Sequence, residues 1–153
     1  MRTVIQRVSS VQAIEAQTKN ALASIDRGLL IFVAFETQDS PISMDKMTQK
    51  IRSLRIFPDE DGKMNLSGPE VKAQYLLVSQ FTLYADCRYG NRPSFTQAAP
   101  KPRAKEYYGH FVETFCRVMG AENVKSTPFG SELSIQLTNE GPVTLWLDST
   151  EVL

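Results

Sequence analysis

Gly28 opens an unbroken apolar run, Leu29-Leu30-Ile31-Phe32-Val33-Ala34-Phe35. No other feature of the chain limits its fold as much. The run is far shorter than the ~20 apolar residues of a membrane-spanning helix. It is rich in β-branched and aromatic side chains, so it reads as a buried central strand. Tyr75 to Phe81 reads as a second buried strand, passing into the polar and apolar mixture Ser79-Gln80-Phe81-Thr82-Leu83.

Two helices are expected beside these strands. Ser40-Pro41 is a helix start, with Ser as the cap and Pro at the first helical position. Met44, Met47, Ile51 and Leu54 then recur at helical spacing and form one apolar stripe. The second helix is read from Ala104 to Met119, with Tyr108, Phe111, Val112 and Phe115 on one face and Gly120 as the stop. Strands are expected over residues 2–8, 11–16 and 20–25 (the last two as a hairpin), 55–57, 122–126, 131–138 and 143–148. Residues 85–103 are left as a long loop, a kind of segment that is usually functional or disordered. The expected fold is α/β: a curved, barrel-like pair of mostly antiparallel sheets with two main helices on one side. A length of 153 residues with 42% hydrophobic content fits one domain over 1–153, large enough to bury a core without disulfides.

Composition narrows the chemistry. With a single histidine, His110, there is no multi-histidine metal site, and Cys87 and Cys116 form no CxxC motif, so neither metal nor cofactor is expected. Seventeen basic residues balance seventeen acidic ones, so no overall charge draws the chain to nucleic acid. Locally the balance breaks: Arg88, Arg92, Lys101, Arg103 and Lys105 crowd residues 86–105 against Asp86 alone. This stretch is either a solvated surface or a local phosphate contact. No signal sequence or membrane span is read, and two unpaired cysteines suit a reducing compartment, so a cytoplasmic location is expected.

Nucleophile candidates are Ser79, Thr82, Cys87 and Cys116, but a hydroxyl is weak without an activating base. No GxSxG elbow or Gly-rich phosphate loop occurs. Two local features remain: Ser79 to Leu83, and Asn139-Glu140-Gly141-Pro142-Val143-Thr144 between strand-like segments. Taken alone, the first is a set of strand-end side chains satisfying backbone groups, and the second is an ordinary turn.

Together they carry a resemblance. In this order and at this chain length, they are similar to motifs of the D-aminoacyl-tRNA deacylases. Gln6-Arg7-Val8, Leu54-Arg55-Ile56-Phe57, Gly62-Lys63-Met64-Asn65, Arg92-Pro93-Ser94-Phe95 and Phe129-Gly130 extend the match over nearly the whole chain. The chain departs from that family's usual pattern at Ala34, at Ala21-Leu22-Ala23-Ser24 and at Leu133.

The resemblance implies an obligate homodimer that hydrolyses the ester joining a D-amino acid to the terminal adenosine of tRNA, with glycyl-tRNA as a second substrate. It implies that Gly141-Pro142 is a cis peptide entering the partner's active site, where its carbonyls exclude the Cβ of an L-residue. Ser79, Gln80, Phe81 and Thr82 would form the catalytic wall. Thr82 is either the nucleophile or, as the lack of a base favours, a residue shaping the pocket. In the second case, backbone N–H groups near Gln80 and Phe81 anchor the substrate, and the ribose 2′-hydroxyl assists water. Arg7 would orient the Gly-Pro carbonyls. Phe95 and Phe129 would line the adenosine or amino-acid pocket, with Asn139 and Thr144 also binding substrate. The competing reading is a nonenzymatic RNA-binding module that uses the basic 88–105 stretch. A third is a small-acyl hydrolase using Cys87 or His110.

Overall fold

The computed structural model describes residues 1–153. The apolar run forms β3 (Gly28–Ala34) at the centre of a six-stranded sheet. Its neighbours are β1 (Arg2–Glu15), antiparallel, and β6 (Gln74–Ser79), parallel. Beyond β6 lies β7 (Val124–Ser126), also parallel. On the other side β1 runs past β3 and pairs with β2 (Ala21–Ile25), so one long strand replaces the two expected at its position. The last strand, β8 (Leu133–Asp148), runs antiparallel along β1 on its remaining edge. Separate from this sheet, β4 (Phe57–Pro58) and β5 (Met64–Leu66) form a small ribbon.

Alternation along β1 sends Ile5 to one face and Val4 to the other, and the two faces meet different layers. One face packs under α1 (Pro41–Ser53) and α2 (Lys101–Met119), where Ile5, Leu29, Ile31, Val33, Tyr75 and Leu77 join Met44, Met47, Phe111 and Phe115 in the main core. Each large side chain fully buried there contributes roughly 1.5–3 kcal/mol. Curling of the sheet brings β2 near β6 and β7. A smaller core of Val8, Val11, Ala13, Ile25, Leu30, Leu76 and Val78 fills the curl. The result is a nearly closed, barrel-like sheet with both long helices on one side, and a short α3 (Ser149–Val152) at the end. Gly28 is required by a close approach: a Cβ there would run into the backbone of Gln74 on β6.

Beyond the single long β1, three more boundaries differ from expectation. Helix α2 begins at Lys101, with Pro100 as its cap and Pro102 in its first turn. Proline is tolerated there because that turn's N–H groups have no helical acceptor. Strand β6 stops at Ser79, and Phe81–Tyr84 winds into a single 3-10 turn. Finally, β8 is one strand where two were expected. Gln6 pairs with Thr144 and Val8 with Asn139, so Glu140 to Val143 bulge out opposite Arg7. Pro142 sits in this bulge, where its missing N–H breaks no ladder bond.

Candidate functional site

The end of β6 and the turn after it bring six of the expected site residues together. Ser79 is paired in register with Val33, and its Oγ accepts a hydrogen bond from the Gly130 N–H at 3.1 Å. This contact fixes the Phe129-Gly130 segment against the strand end. Phe129 lies against Tyr108 (ring centroids 5.9 Å), whose hydroxyl donates to the carbonyls of Leu77 (2.9 Å) and Thr127 (3.1 Å). Burial pushes the Tyr108 hydroxyl up to about 12, so it stays a donor. Opposite, Phe81 is 57% exposed and meets Phe95 edge-on at 5.0 Å. The wall is therefore Ser79 to Thr82, with Phe95 beside Phe81 and Phe129 behind Ser79.

Within this wall the backbone donors are not equivalent. The Gln80 N–H donates to the Val33 carbonyl at 2.8 Å and is used by the sheet. The Phe81 and Thr82 N–H groups open the 3-10 turn and have no acceptor in the chain. The pair available to a ligand is thus Phe81 and Thr82, one residue further along than the expected pair. Thr82 Oγ1 accepts from Gln80 Nε2 at 2.5 Å and touches no base. His110 lies elsewhere, on α2, with Nε2 3.5 Å from Asp45 on α1. Cys87 is exposed in the loop.

The remaining expected site residues form a second cluster around the β8 bulge. Arg7 is 6% exposed, an unusual burial for a guanidinium. Its Nε donates to the Glu140 carbonyl at 3.1 Å and its Nη1 to the Ile56 carbonyl at 2.5 Å. The Glu140 carboxylate lies 3.5 Å from Arg7 Nε and 3.5 Å from Arg27 Nε. Asn139 Nδ2 donates to the carbonyls of Arg7 (2.9 Å) and Val143 (3.2 Å), tying both ends of the bulge to β1. Thr144 Oγ1 accepts from Gln6 Nε2 at 3.3 Å. The Gly141-Pro142 bond at the tip is cis, and both residues are exposed.

The two clusters do not meet within one chain. Arg7 pairs with Leu29 at the start of β3, whereas Ser79 pairs with Val33 near its end. Four residues of strand separate them by ~13 Å along β3 alone. Between them, the face of the sheet away from the helices leaves Phe32 only partly buried and Trp146 49% exposed.

The basic stretch divides. Arg88 is held by Asp86, with contacts of 2.9 and 2.6 Å that also keep the Asp86 carboxyl down at about 2. Lys101, Arg103 and Lys105 belong to α2, and Arg103 reaches the Thr37 carbonyl at 3.4 Å. The loop itself is ordered by bridges between Asp86 and Ser94 and between Glu36 and Ala98. Of the five basic side chains, Arg88 and Arg103 have partners in the chain, and Arg92, Lys101 and Lys105 do not. No helix is long and apolar enough to cross a membrane.

Comparison with known proteins gives a consistent result. Residues 4–148 match the family model for D-Tyr-tRNA(Tyr) deacylase. A D-aminoacyl-tRNA deacylase from Thermotoga petrophila is 45% identical over 152 residues, covering 99% of each chain. Among solved structures, the c-Myc DNA Unwinding Element Binding Protein superposes with a TM-score of 0.89 at 32% identity, covering 97% of this chain and 98% of that one. A probable eukaryotic D-amino acid tRNA deacylase shares the fold at a TM-score of 0.79 and 18% identity, covering 95% of this chain and 97% of that one.

Proposed function

The chain belongs to the D-Tyr-tRNA(Tyr) deacylase family, and from this premise we propose a homodimeric, cytoplasmic enzyme built from residues 1–153 and proofreading the chirality of aminoacyl-tRNA across its subunit interface. Its reaction is hydrolysis of the ester in D-aminoacyl-tRNA, releasing the free D-amino acid and tRNA. The observation that carries the two-chain reading is the register of β3. It holds the Ser79–Thr82 wall and the Gly141-Pro142 tip at opposite ends of one strand, each open to solvent. Two copies related by a two-fold axis would bring the tip of one to the wall of the other, twice over. The exposed sheet face with Phe32 and Trp146 supplies apolar surface for that contact.

In this arrangement the partner's Gly141 and Pro142 backbone occupies the space that an L-residue's Cβ needs. A D-residue turns its side chain away and fits, and glycine fits as well, so glycyl-tRNA is the second substrate. Selection by built-in clash needs no contact with the side chain itself. Arg7, Asn139 and Glu140 hold the bulge that presents the tip. Thr144 lies at its base, where its hydroxyl accepts from Gln6 Nε2.

At the wall, Phe81 and Thr82 offer two free N–H groups to the ester carbonyl oxygen as it gains charge. Preorganised donors of this kind supply several kcal/mol of transition-state stabilisation. Thr82 shapes the pocket: its hydroxyl accepts from Gln80 and has no base to take its proton. The ribose 2′-hydroxyl of the substrate then orients the attacking water, while Phe95 and Phe129 flank the terminal adenosine.

Incubation with D-tyrosyl-tRNA and L-tyrosyl-tRNA tests the reading. Release of D-tyrosine alone, with glycine released from glycyl-tRNA, is expected. Equal hydrolysis of both tyrosyl esters, or of neither, would overturn it.

A further inference from the structure

Past the wall, the chain runs through Tyr84 and Ala85 into two adjoining grooves of about 530 and 410 Å³ that share Arg2 and Gln97. Each is of a size that holds a single small ligand group. Gln97 follows Phe95 by two residues, so the chain that leads from the Phe81–Phe95 pair goes on to line these grooves.

The chemistry of the lining is specific. Its charges are already matched: Arg2 Nε lies 2.9 Å from Asp148, Arg88 lies 2.6 Å from Asp86, and Glu36 lies 3.7 Å from the Met1 ammonium. What remains available is neutral. The side chains of Gln38, Gln97, Thr37 and Thr96 line the 410 Å³ groove, are exposed, and make no hydrogen bond within the chain. At the floor, Tyr84 is 2% exposed, and its hydroxyl is buried without a partner. Amide groups present a donor and an acceptor side by side, which is the pattern that reads the edge of an unstacked base. A phosphate would instead call for unpaired cations, which this groove lacks.

We propose that this groove binds the base of an unpaired nucleotide preceding the terminal adenosine of tRNA, with Gln97 and Gln38 contacting its edge. The inference rests on the deacylase reading for the position of the terminal adenosine at the neighbouring wall. It assigns the groove a task that the ester chemistry does not require: holding the single-stranded 3′ end so that the ester arrives in register.

Equilibrium binding of the uncharged trinucleotide CCA, compared with adenosine 5′-monophosphate, tests it on the intact protein. The trinucleotide is expected to bind at least about tenfold more tightly, equivalent to ~1.4 kcal/mol. The double variant Gln38→Ala/Gln97→Ala is expected to reduce that advantage to about threefold or less; both positions are exposed, so the fold is retained. Equal binding of the two ligands, binding of neither, or an unchanged ratio in the variant would overturn the inference. So would a trinucleotide with abasic sites before the adenosine binding as tightly as CCA, because phosphates would then be the contact. Hydrolysis of D-tyrosyl-tRNA by the same wild-type preparation separates the two levels. Hydrolysis without a trinucleotide preference sinks the groove alone, and its absence sinks the deacylase reading.

Discussion

Gly141→Ala separates the demands of folding from those of the site. A Cβ built at Gly141 meets only Asn139 Oδ1, at 3.4 Å, an ordinary van der Waals contact. The residue is exposed, and its φ lies outside the left-handed region. Nothing in its own chain therefore requires glycine there. Stability should stay within about 0.5 kcal/mol of wild type, and the reduced freedom of the unfolded chain offsets part of any loss. The space beyond Gly141 is different if it belongs to the partner's substrate. One methyl forced into a packed contact costs ~1–3 kcal/mol. Applied to the transition state, that is a loss of roughly 5- to 150-fold in kcat/KM for D-tyrosyl-tRNA. Urea denaturation at matched protein concentration measures the first quantity, and deacylation at low substrate measures the second. Wild-type kcat/KM would refute the reasoning. Destabilisation beyond about 2 kcal/mol would refute it too, because the glycine would then be serving its own fold.

Two further outcomes follow from the geometry. Thr82→Ala should retain substantial deacylase activity, whereas a substrate whose terminal ribose lacks the 2′-hydroxyl should react much more slowly; the reverse pattern would make Thr82 the nucleophile. Asp148 contributes to the acid limb of stability. Its burial alone would raise the carboxyl's pKa, but hydrogen bonds from the Thr150 N–H (3.0 Å) and Arg2 Nε (2.9 Å) outweigh that and lower it. The resulting stabilisation is complete above the unfolded value of about 3.9 and is lost as pH falls through the lower folded value. Asp148→Asn should therefore melt below wild type near pH 7, with the gap closing as pH falls below about 4; a gap constant with pH would contradict this.

Much of the scaffold was legible because it is written locally. The short, β-branched run from Leu29 to Phe35 reads as a buried strand, which the structure carries as far as Ala34, and Ser40-Pro41 marks a helix start that the structure completes with reciprocal Ser40–Ser43 bonds of 3.1 and 3.3 Å. Two of the misplaced boundaries turn on proline. Pro102 fell in the stretch left as a loop, yet lies in a helical first turn that needs no N–H. Pro142 read as a break between two strands, but the bulge at 140–143 lets β8 continue.

The candidate site residues, and their division into a wall and a tip on different chains, were read through family resemblance; nothing local in the sequence spells out that division. Whether Ser79 and Gly141 meet depends on β6 pairing parallel with β3 while β1 pairs antiparallel, a long-range outcome with no local signature. Similarly, the use of the Gln80 N–H by Val33 is a product of register. Gln38 and Gln97 carry no motif, and only folding places them beside one groove.

Mixing two variants, each chosen because it has lost activity on its own, tests the central claim, that each site is assembled from two chains. One variant is altered at Gly141 and the other in the Ser79–Thr82 wall, and the two are co-refolded in equal amounts. If wall and tip come from different chains, every mixed dimer holds one intact site. Random assortment then restores about a quarter of wild-type activity on D-tyrosyl-tRNA. Activity no greater than the average of the two parents would place the whole site within one chain and contradict the account.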